Sequence, residues 1–173
     1  MLCASDGWPG IRDSQVYDEE LHLARLAEDL GFDVVWAAEH HFFGYSFCPD
    51  NIQLLTFLAG AKSTIGVGTA AVIMPWHDPL RVAERISMLD QVSRGRLRFG
   101  VGRGLSRREY EPFRDVEMAE SRARFDEGTA MVRRCAPHRL HRGGRPVLPP
   151  GPHGDPAAAG AVLRRPVLHG GVE

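Results

Sequence analysis

Three short runs, apolar or nearly so, set the frame for this chain: DVVWAA (residues 33–38), TIGVGTAAVIM (64–74) and RLRFGVG (96–102). Segments of helical period separate them. A strand with one wet face alternates polar and apolar residues, whereas a strand covered on both faces does not. Buried strands that alternate with helices predict a parallel sheet with helices packed on it. A doubly wound sheet and a (β/α)8 barrel both have this form. Both keep their chemistry at the C-terminal ends of the strands.

The helical segments carry their own start and stop signals. YDEELHLARLAEDLGF (17–32) sets Leu23, Leu26, Ala27 and Leu30 at i, i+3, i+4 and i+7, a helical stripe, with Gly31 suited to its C-terminal stop. PDNIQLLTFLAGAK (49–62) predicts a second helix with Asp50 as N-cap. HDPLRVAERISMLDQVSRG (77–95) predicts a third, capped by Asp78, with Pro79 in its first turn and Val82, Ile86 and Leu89 facing inward. Gly95 follows its end. EMAESRARFDEGTAMVRR (117–134) predicts a fourth, with Met118, Phe125 and Val132 spaced by sevens. With a short strand at residues 2–5 in front, the order is α-β-α-β-α-β-α.

Composition narrows the function classes. A length of 173 residues suggests one domain, and the net charge of −1 gives no general pull toward nucleic acid or an anionic membrane surface. No apolar run reaches the length of a membrane span. The start, MLCASDGWPG, lacks the basic-then-apolar order of a signal peptide. Cys3, Cys48 and Cys135 are odd in number and far apart, which fits reduced thiols in a cytoplasmic protein rather than a disulfide framework or a zinc site.

The strand ends hold the candidate chemistry. The first run leads straight into Glu39, His40 and His41. Neighbours on an extended chain point to opposite faces, so the two imidazoles do not readily share a metal ion, and no metal is expected. Two readings of His40 stand: an imidazole packed and hydrogen-bonded at a rim, or one aimed into a cleft and able to move a proton near neutral pH. In the second run, Gly66, Gly68 and the small residues Thr69, Ala70 and Ala71 leave room either for a close helix or for a planar ligand. In the third, Gly100, Gly102 and Gly104 alternate around Arg103. This is not the dinucleotide fingerprint, because its last spacing is wrong. Arg103 is either a surface loop residue or a phosphate ligand.

Taken together, GFDVVWAAEHHF, IGVGTAAVIMPWHDPLRVAERISMLDQVSRGRLRFGVGRG and EYEPFRDVEMAESRARFDE resemble the N-terminal half of bacterial-luciferase-like flavin monooxygenases. The resemblance runs over roughly residues 17 to 134. Its specificity lies in the combination of EHHF, GTAA, HDP, LDQ and FGVGRG. It implies an α/β fold of the (β/α)8 TIM-barrel type that holds reduced FMN at the C-terminal strand ends. It also implies O2 and a small organic substrate such as an aldehyde, a flavin reductase that supplies FMNH2, and a dimer. Under it His40 is the catalytic histidine, and Ala70–Ala71 is a non-prolyl cis peptide beneath the flavin ring. Arg103 holds the flavin phosphate, and Gly102 lies near the flavin where luciferase has a cysteine. Glu39 and His41 take orienting and packing roles. Two alternatives remain on the same fold: hydride transfer from the deazaflavin F420, and a non-catalytic half-barrel fragment.

The texture changes after residue 134. Residues 135–173 contain no aromatic residue, seven Pro and seven Gly, and neither a helical nor a strand period. A barrel typically needs about 250 residues. The expectation is therefore a half-barrel over 1–134 followed by an irregular tail over 135–173, read from a shifted frame, in a chain that binds FMN weakly.

Overall fold

The computed structural model describes residues 2–3, 10–42, 46, 48–61, 64–113 and 116–135. The tail expected over 135–173 lies outside these residues, apart from Cys135.

The strands are parallel, as their buried character predicts. β2 (Val34–Ala37) pairs with β1 (Leu2–Cys3) on one side and β3 (Gly66–Thr69) on the other, with Val35 opposite Val67 and Ala37 opposite Thr69. β3 pairs in turn with β5 (Leu97–Arg98), giving the order β1-β2-β3-β5. All four strands run the same way, so their C-terminal ends lie along one edge.

The second and third runs are each interrupted where a single strand was expected. β3 stops at Thr69, the Ala70–Ala71 peptide is cis, and the chain resumes as β4 (Val72–Ile73). β5 likewise gives way to β6 (Val101–Gly102), which pairs with β4 in a second small sheet. The break has a side-chain cause. The Thr69 hydroxyl donates to the Gly100 carbonyl (2.8 Å) and accepts from the Gly100 N–H (2.9 Å), standing in for ladder bonds. Only glycine fits there: a Cβ on Gly100 would lie 2.4 Å from the Thr69 carbonyl oxygen.

The helices form where their signals place them. α2 (Asn51–Gly60) is capped by Asp50, whose carboxylate accepts from the Gln53 N–H at 2.9 Å. α3 (Pro79–Val92) is capped the same way by Asp78 through the Arg81 N–H, and it buries Val82, Ile86 and Leu89. α1 (Asp13–Asp29) departs from expectation. It buries Val16, Glu20, Ala24 and Ala27, while Leu23, Leu26 and Leu30 remain 37%, 40% and 67% exposed. The inward face of the helix is the one carrying Ala24 and Ala27, and the leucines lie beside it. A four-residue helix, α4 (Arg107–Tyr110), went unforeseen. α5 (Ser121–Cys135) starts later than the pattern implied, because Met118 lies in a 3-10 turn ahead of it; Val132 is buried and Phe125 partly so. One core joins sheet and helices, centred on Val35, Leu55, Val67, Val72 and Ile86.

Candidate active site

Beyond Ala37 the chain leaves β2 and carries Glu39, His40 and His41 past the end of the sheet. The two imidazoles diverge onto different carboxylates. His40 Nδ1 lies 2.9 Å from Glu109 Oε1, and the same oxygen accepts the His41 backbone N–H at 3.0 Å. An oxygen already accepting an amide proton serves as acceptor for the ring too. Nδ1 of His40 therefore carries a proton, which puts the basic lone pair on Nε2. Glu109 is buried at 3% exposure, whereas the His40 side chain is 32% exposed. The carboxylate sits inside and the imidazole reaches outward.

Glu39 collects the other imidazole and more. Its Oε1 accepts from His41 Nε2 (3.0 Å) and His77 Nε2 (2.7 Å), and its Oε2 accepts from the Ile73 N–H (3.0 Å). Burial pushes this carboxyl up, but the hydrogen bonds from His41, His77 and Ile73 outweigh it and hold the group below its ordinary value. Glu39 thus ties the end of β2 to β4 and to the turn before α3. The His41 ring also meets Trp76 and Phe113 edge-on, at 5.0 and 5.1 Å between centroids.

The cis Ala70–Ala71 peptide lies beside this rim. Asn51, fully buried at the start of α2, donates its side-chain amide to the carbonyls of Ala37 (3.2 Å) and Ala71 (3.1 Å), while the Ala70 N–H donates to the Ala37 carbonyl at 2.8 Å. Gly102 faces the same peptide, and a Cβ there would lie 3.3 Å from Ala71 Cβ and 3.1 Å from Ile73 Cδ1. Gly104 has φ +72°, and a Cβ on it would meet Ile73 and Trp76. Arg103, between these glycines, extends its guanidinium to Ser121 Oγ (3.2 Å) at the start of α5, and the Tyr110 hydroxyl donates to the Arg103 carbonyl. Gly102 and Gly104 thus pack tightly on Ala71, Ile73 and Trp76, and Arg103, which reaches the start of α5, is the group here that could hold a phosphate.

The structure therefore brings His40, His41 and Glu39 to one rim, and Ala71 and Gly102 to one strip beside it, with Arg103 following. Sequence reading missed three members. Glu109 lies 69 residues from His40 in an unpatterned RREY stretch. His77 was visible only as the residue before a helix cap. Asn51 looked like any first-turn residue. A polar residue inside a buried helix face was the one available signal for Asn51, since buried amides need partners. Among the described residues, no group of three or more His, Cys, Asp and Glu could hold a metal ion. No helix among them is long and apolar enough to cross a membrane. Burial drives the Cys48 thiol up to about 12, which leaves it unreactive.

Known proteins share this architecture. The luciferase-like monooxygenase family matches residues 1–173. The alkanal monooxygenase alpha chain of Photorhabdus laumondii is 37% identical over 115 residues, covering 66% of this chain and 32% of that protein. The oxygenase component of the flavin-dependent trigonelline monooxygenase of Acinetobacter baylyi is 33% identical over 97 residues, 56% of this chain and 27% of that one. The crystal structure of the monooxygenase RslO1 from Streptomyces bottropensis superposes with a TM-score of 0.73 at 38% identity, covering 78% of this chain and 41% of that one. The matched segment spans about a third of the length of the curated alkanal monooxygenase relatives. The parallel βα units are those of the expected barrel type. The chain belongs to the luciferase-like monooxygenase family.

Proposed function

We propose that this chain supplies the acid–base and flavin-binding end of a monooxygenase that uses reduced FMN and O2 to oxidise a small organic substrate, an aldehyde foremost. The observation that carries the reading is the His40–Glu109 pair: an imidazole about a third exposed, backed by a buried carboxylate at the C-terminal end of the sheet. When bound, reduced flavin supplies the electrons that activate O2, so that one oxygen atom enters the substrate and the other leaves as water. The protein's own part is to move protons and exclude solvent. With Nδ1–H held by Glu109, His40 can accept a proton at Nε2, and the carboxylate then stabilises the imidazolium. Arg103 would grip the cofactor phosphate, and Ala70, Ala71 and Gly102 would lie against its ring.

The reductase and the aldehyde rest on relatives. One relative is named an oxygenase component, which supports a separate reductase as the source of FMNH2. Another is named an alkanal monooxygenase, which supports an aldehyde. A dimer is proposed on the family likeness. The test supplies FMNH2 and a straight-chain aldehyde and follows O2 uptake together with carboxylic acid formed. Acid formed in step with O2 supports the reading. Substrate turnover with F420 and no O2 uptake overturns it in favour of hydride transfer.

A further inference from the structure

The acid–base reading uses Glu109 and leaves a second buried carboxylate, Glu39, and its partner His77 without a task. We propose that Glu39 and His77 are positioning residues that hold His40 in one ring tautomer, acting through His41. The path has four hydrogen bonds. His77 Nε2 donates to Glu39 Oε1 at 2.7 Å, and His41 Nε2 donates to the same oxygen at 3.0 Å. The His41 backbone N–H donates to Glu109 Oε1 at 3.0 Å, and His40 Nδ1 donates to that oxygen at 2.9 Å.

The donor directions follow from the setting of Glu39. Its side chain is 1% exposed, and its second oxygen is occupied by the Ile73 N–H. Ionised, it can only accept, so both rings must present N–H. One oxygen shared by two imidazoles is held from two sides, and the His41 ring is further confined by the edges of Trp76 and Phe113. The fixed ring fixes the peptide between His40 and His41. That peptide's N–H is what anchors the Glu109 oxygen against His40. Loss of His77 frees the shared oxygen to turn toward His41, and the peptide and Glu109 shift with it. An imidazole whose acceptor is loosened populates both tautomers. If Glu39 and His77 merely stapled β2 to β4, their loss would lower stability and leave the His40 tautomer alone.

The proposal builds on His40 as the acid–base group, but its test reads the ring and not turnover. Long-range proton–nitrogen NMR at neutral pH on the unliganded chain assigns the ring nitrogens of each histidine. The wild type should show His40 as the Nδ1–H tautomer. His77→Leu should give a mixture of both, and His77→Gln, which returns an N–H donor at the reach of Nε2, should restore the single form. His77→Asn, polar but one methylene shorter, should not. Should His77→Leu fail to fold, the comparison of Asn with Gln decides. Identical His40 ring signals in wild type and His77→Asn overturn the proposal, as does a folded His77→Gln that resembles His77→Asn. Unaltered turnover in His40→Ala would instead remove the acid–base role and leave the tautomer result standing.

Discussion

At the scale of single residues, the sequence placed His40 at a strand end but could not choose between a packed and a working imidazole. The structure adds the two quantities that matter: a carboxylate at 2.9 Å and a ring that is 32% exposed. Glu109 was illegible because it comes from a four-residue helix with no period of its own. If His40 moves the proton, His40→Ala should lower turnover by about 10²–10⁴-fold while FMN binding persists. Turnover within about threefold of the parent would exclude the role. Arg103→Ala tests the other end of the strip. A charge-assisted phosphate contact contributes roughly 1.5–3 kcal/mol, so FMN affinity should fall by about ten- to a hundredfold or somewhat more. Riboflavin, which has no phosphate, should be little affected. Equal losses for the two ligands, measured by quenching of flavin fluorescence, would mean that Arg103 does not hold the phosphate.

At the scale of elements, helix existence and the caps were legible because Asp50, Asp78 and Pro79 act locally. The interruptions of β3 and β5 were not. They depend on the Thr69 hydroxyl meeting Gly100 across 31 positions, a contact that no local pattern encodes. The leucines of α1 misled for a related reason. Periodicity shows which residues share a face, not which of two neighbouring faces turns inward, and here it is the one with Val16, Glu20, Ala24 and Ala27. Asn51 shows what a buried polar residue does for an element: it joins the first turn of α2 to the carbonyls of Ala37 and Ala71. Asn51→Ala should leave both carbonyls short of a donor, although Ala37 keeps the Ala70 N–H. An unsatisfied buried group costs about 1–3 kcal/mol, and Asn51→Ala should destabilise the fold by about that amount. Asn51→Asp, isosteric but an acceptor, should cost at least as much. Chemical denaturation checks both. A loss under about 0.5 kcal/mol for Asn51→Ala would show that water replaces the amide.

At the scale of the whole molecule, Glu39 gives the fold a dependence on pH whose sign is fixed by its partners. Burial alone would raise this carboxyl, but His41, His77 and the Ile73 N–H hold it below the ordinary value of 4.5. A carboxyl that is more acidic folded than unfolded contributes stability above the unfolded value, and that contribution fades as pH falls through the folded one. Each unit of depression corresponds to about 1.4 kcal/mol. The groups facing Glu39 are His41 on its own segment and His77 on the turn before α3, with the Cys48 thiol, held high by burial and by charges that include Asp50 and Glu39, staying neutral throughout. Glu39→Gln removes the charge while keeping the shape. Its melting temperature should lie below that of the parent near neutral pH, and the gap should close as pH drops below about 4.5 toward 3, because the parent loses what the variant never had. The site should fail in the same window, since the carboxylate that ties β2 to β4 also orders His41. Melting curves recorded in steps from about pH 7 to about pH 3 decide it: two lines that stay parallel would show that the fold does not hold the Glu39 carboxyl below its ordinary value, and a gap that changes the other way would show that burial wins.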